Sequence, residues 1–569
     1  MRGKPLPVGV DDFEKLIAKG YYYVDKTWMI KELLDKKAEV NLFTRPRCFG
    51  KTLNLSMLRY YFEDTGDIEK NQYYKQLFSG LAIEEVGGEY AKEMGRYPVI
   101  LVTLKSAKQR DYQDALACLI EALAEEYSRH EGQVKGKIEN QADWEKYMAI
   151  RERRGECADY LTSLAFLSKC LFQSYKKKSV ILIDEYDVPL ENAYFSGFYD
   201  EMASFIRTLF ESALKSNPYL EFAVVTGCLR VSKESIFTGL NNLRAYSILN
   251  ENYCGYFGFT EQEIQAMLLY YGRERNLNAV REWYDGYQFG DVGVYNPWSI
   301  LNHMEDIITN PDAFPEPYWS NTSSNKIVRD LVHRLDDDRG EVKGQLEILM
   351  NGGAIEKAIH EGITYDNIYE TEDNLWNFLF FTGYLKKVSA RKEGKETYVA
   401  MSIPNNEVAY IYEHTISVWF DKKQRSFDMS SLYLAIEEGD VGGIGEEVSR
   451  FLEETISYFD YGESYYHGFL AGLLRQSKKY QVLSNREAGL GRADLILKTP
   501  RIRGGRAVVL ELKVVKRFQD MERGCVEALR QIEEKKYRKE LMQEGYGDIL
   551  AYGVCFYRKE CLVKGNLLN

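Results

Sequence analysis

Residues 39–62 read EVNLFTRPRCFGKTLNLSMLRYYF, and the reading of this stretch decides the fold of the first half of the chain. An apolar run from Val40 to Phe43 meets a basic turn that ends in Gly50-Lys51-Thr52, and helical apolar spacing follows at Leu53, Met57 and Tyr60. The order is strand, loop, helix. Backbone N–H groups at a helix N-terminus offer partial positive charge to a phosphate, Lys51 would reach the β and γ phosphates, and the Thr52 hydroxyl would ligate Mg²⁺. Arg47, Phe49 and Gly50 complete the loop that would wrap the phosphates. The usual G-x-x-x-x-G-K-[ST] pattern places a glycine where this chain has Arg45, so the turn alone does not decide the matter.

Its partner is SVILIDEYD at 179–187. Four consecutive apolar residues, Val180 to Ile183, read as a strand covered on both faces, as in a parallel sheet. Asp184 and Glu185 follow at its C-terminal end, where ligands bind in such sheets. Asp184 is expected to hold Mg²⁺ and Glu185 to position or deprotonate an attacking water; the alternative is an acidic helix cap. LEFAVVTG at 220–227 ends in Thr226, with Arg230 just beyond, residue types that can sense a γ-phosphate and reach transition-state charge. YPVILVTL at 97–104 is a further buried strand, and NYCGYFGF at 252–259 is expected to be the fifth, ending where Thr260 and Glu263 form a capping box. Lys51 and Asp184 lie 133 positions apart, and 107–175 reads as a helical insertion.

At 569 residues the chain is too long for one core. Hydrophobic content of 45% with 28% charged residues is ordinary for a globular protein, and the absence of a long apolar run together with a charged N-terminus predicts a cytoplasmic protein that makes no use of a membrane. Nine scattered cysteines include no C-x-x-C pair, which indicates neither a zinc knuckle nor a disulfide framework. The net charge of −12 hides an asymmetry: Arg486 to Asn569 holds 18 Lys/Arg against 12 Asp/Glu, a local +6. A basic face of that kind is sufficient for nucleic-acid contact.

Residues 1–38 hold two short helical patterns around YYYV, with Asp25-Lys26-Thr27 placed to cap the second. From 261 to 425 the pattern is mainly helical, and WYDGYQFG (283–290) and VYNPWSIL (294–301) suggest packing or a lid. LWNFLFFTGYL at 375–385 reads as a helix, the two runs after it as a hairpin, and IPNNEVAYIYEHTISVWF as another helix, an order compatible with a winged-helix module that contacts DNA or serves as an adaptor. The expected domains are 1–260, 261–425 and 426–569.

The last of these carries a second chemical site. YGESYYHGFLAGLL (461–474) reads as a helix, and SNREAGLGRADLIL (484–497) and AVVLELKVVKRF (507–518) hold strands joined by a turn at Arg503-Gly504-Gly505-Arg506. Glu511 and Lys513 are two apart on a strand and share a face, and Asp494 would lie across from Glu511. Two carboxylates on neighbouring strands make an oxygen-rich site for Mg²⁺ or Mn²⁺, and the lysine would orient a water and steady charge on a phosphate. Glu463 is a further candidate ligand, with Glu487 its rival. His467 is expected to pack on its helix.

RPRCFGKTLNLSML, VILIDEYDVPL, WYDGYQFG, VYNPWSILN and GRADLIL with VVLELKV together resemble the bacterial AAA-ATPase-like proteins fused to a PD-(D/E)XK nuclease domain. The resemblance spans most of the chain, and that family's phosphate loop also commonly lacks the first glycine, although Cys48 stands where a basic residue is more usual. It implies an α/β chain: a P-loop ATPase-like parallel sheet with a helical insertion, a helical and winged-helix-like middle, and a C-terminal restriction-endonuclease-like domain. It implies ATP as the nucleotide, Mg²⁺ as the metal (or Mn²⁺ at the nuclease site), and DNA as the partner with RNA as its rival, and it leaves a homo-oligomer open. Asp494, Glu511 and Lys513 correspond to the superfamily's motif, Glu463 to its helical glutamate and Gln531 to a glutamine on the following helix. The expected function is ATP hydrolysis coupled to metal-dependent DNA cleavage. The alternatives are a regulatory ATPase switch with a nucleic-acid-binding domain that does not cut, and a nuclease with a relic ATPase domain.

Overall fold

A computed structural model describes residues 3–230, 236–237, 239–321, 328, 341–363, 365, 368, 370–424, 429–455, 463–475, 480–488, 491–499, 505–535 and 537–567. The fold is mixed α/β and divides into two compact units, one of Met1–Tyr318 with Glu356–Asn406, the other of Trp319–Ile355 with Glu407–Asn569.

The first unit is built on β1 (Val40–Thr44), β2 (Val99–Thr103), β3 (Ser179–Asp184), β4 (Leu220–Gly227) and β5 (Leu243–Tyr246), in the order β2-β3-β4-β1-β5. All the pairings are parallel. β1 and β3 are buried at every position, which is why they read as unbroken apolar runs. The register aligns Thr44 with Gly227, Thr103 with Asp184 and Ile183 with Val225. Residues far apart in sequence therefore end on one edge of one sheet, where α/β proteins bind ligands.

Helices Tyr112–Val134, Gln141–Arg151, Cys157–Leu161 and Ser163–Tyr175 fill the connection from β2 to β3, so the helical insertion is present. Its anchor is ionic. Glu126 accepts from the Leu101 backbone N–H at 2.8 Å and from Arg129 Nη2 at 2.6 Å, while Arg129 also meets Glu63 and the Val99 carbonyl. Burial would raise the Glu126 carboxyl, but Arg129 outweighs it and lowers the group to about 2.

Two expectations need correction. The fifth strand is β5, not 252–259. That stretch forms a 3₁₀ turn at Cys254–Tyr256 and then enters β6 (Phe259–Thr260) of a separate small sheet with β7 (Tyr287–Phe289) and β8 (Val292–Tyr295). Its aromatics pack instead of pairing: Tyr253 and Phe257 lie against Phe43. LRAY at 243–246 alternates weakly and gives little strand signal, yet its backbone pairs with β1. In the second case, Thr27 makes no side-chain cap. Asp25 accepts from Thr27 and from the Ala82 N–H, and Lys26 is buried against Glu263 at 2.6 Å and the Gly255 carbonyl. The local Asp25–Thr27 turn forms, but the Thr27 hydroxyl accepts from the Ile83 N–H instead of capping the helix. The Thr260–Glu263 capping box forms as expected.

Further along, helix Glu372–Phe381, β10 (Lys386–Glu393), β11 (Glu396–Ser402) and helix Asn406–Gln424 follow in the anticipated order, and β9 (Ile355–Ala358) adds a third strand beside β11. In the second unit, β12 (Gln481–Ala488), β13 (Gly491–Lys498), β14 (Arg506–Val514), β15 (Asp548–Tyr557) and β16 (Glu560–Leu567) form one mixed sheet in sequence order. Only β14 and β15 run parallel, because helix Met521–Glu534 crosses between them. Ile496, Val509, Ile532, Tyr537 and Ala551 form its core. Residues 503 and 504 of the expected Arg503–Arg506 turn lie outside the described residues. Among the described residues no helix is long and apolar enough to cross a membrane.

Candidate functional site

At the C-terminal edge of the first sheet, Gly50 takes a left-handed φ of 80° and starts helix Lys51–Phe62. A side chain disfavours that backbone, so glycine fits here. Thr52 Oγ1 donates to Asp184 Oδ2 at 2.7 Å, and Thr226 Oγ1 donates to Asp184 Oδ1 at 2.5 Å. Two hydroxyls and a carboxylate thus converge from three chain segments, hard oxygen donors of the kind Mg²⁺ takes. Burial raises the Asp184 carboxyl, and the two threonine hydrogen bonds oppose that rise. Glu185 follows with a strained φ of 50°, and its N–H donates to Thr226 Oγ1 at 3.4 Å.

Lys51 is buried. Its Nζ donates to the Arg45 and Pro46 carbonyls, both at 2.9 Å, and lies 3.6 Å from Cys228 Sγ. Burial would lower its ammonium, but Cys228, Glu185, Asp187 and Asp184 outweigh that and hold it above the ordinary value. Arg47 pairs with Glu191, and Arg230 Nη1 lies 3.5 Å from Glu361 Oε2. Each cation expected to face phosphate is therefore already engaged within the protein.

Two features were missed in the sequence. Asp187, the third acid of IDEYD, is buried and accepts from the Cys228 and Leu229 N–H groups at 2.7 and 3.0 Å. It holds the loop that leads from Thr226 to Arg230. A Cβ at Gly227 would stand 2.4 Å from Tyr186 and 2.9 Å from Asp187, so glycine lets this close approach occur. The second is the partner of Arg45, in the position of the absent glycine. Its guanidinium is fully buried and donates to the Thr44 and Tyr246 carbonyls, with Phe257 and Phe289 rings 5.0 and 5.2 Å away. Burial lowers it to about 9. Phe49 packs on Tyr287 and Phe289 at 5.0 and 5.1 Å. The aromatic motif WYDGYQFG therefore clamps the phosphate loop from outside the sheet. Phe49 is wholly buried in this contact, so it shapes the loop from behind.

In the second unit the antiparallel register of β13 and β14 pairs Leu495 with Leu510, which sets Asp494 beside the Glu511–Leu512 segment. Asp494 Oδ2 accepts from the Leu512 N–H at 2.8 Å. Burial raises the Asp494 carboxyl, while that N–H, His467 and Lys513 pull it down. Glu511 is buried and accepts from Gln531 Nε2 of helix Met521–Glu534. Lys513 is half-buried on the same strand face. His467, expected only to pack, sits at this site: its Nε2 is 2.8 Å from the Asp494 carbonyl, and since a carbonyl only accepts, that nitrogen carries the hydrogen. Buried Tyr537 feels the charges of Glu511 and Asp494, a neighbour no sequence motif signalled.

Glu463 begins helix Glu463–Arg475, but its side chain lies outside the described residues. Glu487 is on β12, opposite Arg492. The pair Asp494 and Glu511 has the oxygen chemistry of a divalent-metal site; among the described residues, no group of three such ligands is assembled.

Comparison with known proteins agrees with this division. Residues 7–237 match the family described as predicted AAA-ATPase, and residues 461–566 match the PD-(D/E)XK nuclease superfamily. A protein of Azotobacter chroococcum mcd 1, described as an uncharacterized protein in the vnfD 5' region, is 27% identical over 415 residues, covering 72% of this chain and 69% of its own length. The chain carries an AAA-ATPase-like domain followed by a PD-(D/E)XK nuclease-superfamily domain.

Proposed function

We propose that this chain, with its AAA-ATPase-like and nuclease-superfamily domains, binds and hydrolyses ATP and cleaves DNA phosphodiester bonds, the nucleotide state regulating DNA engagement. The observation that carries the reading is the convergence of Lys51, Thr52, Asp184 and Thr226 on one sheet edge, in a chain that also sets Asp494 beside Glu511 and Lys513. The proposed functional parts are 1–260, 261–425 and 426–569.

In the nucleotide site, Thr52 and Asp184 would hold Mg²⁺, which supplies charge neutralisation at the phosphates. Lys51 exchanges two loop carbonyls for phosphate oxygens, so the loop opens around its ligand without creating a new charge. Glu185 orients the attacking water, and Thr226 reads the γ-phosphate through the hydroxyl it now gives to Asp184. Arg230 reaches the transition state by leaving Glu361, a partly exposed pair that costs little to break.

In the nuclease site, Asp494 and Glu511, with Glu463, would hold Mg²⁺ or Mn²⁺, which activates water for attack at phosphorus. Lys513 orients that water and steadies the phosphorane charge. Gln531 fixes the rotamer of Glu511, and the Leu512 N–H fixes that of Asp494. DNA fits the local basic excess of the C-terminal region.

One observation favours a second reading, a nucleotide switch whose nuclease-like domain binds without cutting. One Asp494 oxygen is committed to a backbone N–H, which leaves that oxygen less free to hold a metal. Cleavage of linear and circular DNA by wild type, Lys513→Ala and Lys51→Ala, with Mg²⁺ or Mn²⁺ and with or without ATP, decides between them. Loss of cutting in Lys513→Ala supports the nuclease, and loss of its ATP dependence in Lys51→Ala supports the coupling. A wild type that binds DNA but never cuts it hands the case to the switch.

A further inference from the structure

We propose that Phe518, together with Tyr557 and the cations around them, is a stacking platform that holds an unpaired base of single-stranded DNA beside the carboxylates of the second unit. The proposal rests on the nuclease reading and narrows its substrate to DNA with a single-stranded segment.

After Lys513, β14 ends at Val514, whose register partner on β15 is Phe556, and the Val515 N–H donates to the Phe556 carbonyl at 3.0 Å. The loop that follows, Lys516-Arg517-Phe518, and the turn at Tyr557-Arg558 therefore emerge at the same end of the β14–β15 pair. Phe518 stands five positions after Lys513, at most about 17 Å of extended chain, which is within reach of a short run of nucleotides.

Phe518 is 62% exposed. Burying such a ring would stabilise the fold, yet helix Met521–Glu534 turns Met521 and Cys525 inward and leaves Phe518 outside. The Phe518 and Tyr557 rings meet edge to face with centroids 6.2 Å apart, and the Arg558 guanidinium lies 5.3 Å over the Tyr557 ring. The aromatic surface is thus continued by a cation.

Lys516, Arg517, Arg523 and Arg558 are exposed around it, against Asp520, Glu522 and Glu560. Arg517 and Arg523 both lean on Asp520, at 2.8 and 3.6 Å. Exposed pairs of this kind are worth little and yield to a phosphate. Cations alone would serve a duplex, whose backbone is what they read. A ring face is useful only where a base shows its own face, and paired, stacked bases do not. Aromatic ring plus flanking cations is the chemistry of a single strand.

The test uses the full chain in EDTA, so that binding is read without cutting, with fluorescent oligo(dT), oligo(rU) and a duplex of equal length. Phe518→Ala is expected to lose about tenfold in oligo(dT) affinity, to change much less on duplex, and to be rescued by Phe518→Trp. Unchanged oligo(dT) binding, an equal loss on duplex, or tighter binding of oligo(rU) by the wild type each overturns the assignment. A cleavage assay separates this from the parent reading. If the wild type never cuts but Phe518→Ala loses oligo(dT), the platform stands and the nuclease falls. If Lys513→Ala abolishes cutting while Phe518→Ala binds as wild type does, the nuclease stands and the platform falls.

Discussion

The two candidate sites gather similar groups, oxygens and a lysine, with opposite chain economy. In the first unit the partners come from positions 52, 184 and 226, brought together by parallel crossovers and a long helical insertion. In the second, Asp494, Glu511 and Lys513 come from two adjacent antiparallel strands, and Gln531 from the helix that follows them. The first site depends on distant packing, so damage far from it should reach it. The second is local, and its sensitivity should be confined to its own residues.

The largest effect should come from striking each site directly. Glu511→Gln is expected to cut DNA cleavage by at least about a hundredfold, and Asp184→Asn to do the same to ATP hydrolysis, because each removes a charge that acts mainly in the transition state. If the sites are chemically separate, ATP hydrolysis without DNA survives the first change, as steady-state phosphate release would report.

Distant packing is tested by Arg129→Ala. It leaves Glu126 and Glu63 buried without their shared cation, at a cost of about 3 kcal/mol. Urea unfolding should show an early transition, and the ATPase should fail with it. The same network has a pH signature. Glu126 is depressed to about 2, below its unfolded value of about 4.3. Its contribution is therefore complete above that unfolded value and is lost as pH falls toward 2; in Arg129→Ala this part of the acid dependence should vanish.

A subtler contrast is the pH response of the second site. The Asp494 carboxyl is raised by burial, so cleavage should decline on acidification at a higher pH than an ordinary carboxylate would give, and excess Mn²⁺ should shift the decline downward by competing with the proton. The smallest effect is expected at Arg45. Arg45→Met fills most of the volume between Phe257 and Phe289 and removes a buried cation whose Nε and Nη2 have no partner. It should cost less than about 1.5 kcal/mol and raise the KM for ATP only slightly, whereas Arg45→Gly, which follows the common loop pattern, leaves a cavity and should be worse.

Much of this was legible because the relevant signals are short-range. Buried parallel strands read as unbroken apolar runs, Gly50 marks a left-handed turn, and E-x-K spacing puts two side chains on one face. The failures share a cause. Strand 243–246 is held by backbone bonds to β1 that carry no side-chain pattern, whereas 252–259 looked like a strand because its aromatics pack on Phe43. Thr27 makes no cap because its hydroxyl accepts from the Ile83 N–H, 56 positions away.

The sequence by itself determined the chemistry offered at each site: which acids, hydroxyls and lysines, on which local elements, in which order. Tertiary structure alone decided the company they keep. It placed Asp187 under the Cys228–Leu229 turn, closed Phe257 and Phe289 over Arg45, and brought His467 to the Asp494 carbonyl. Local propensity acts over a few residues, whereas these contacts are set by which buried surfaces meet and which buried polar groups must find a partner.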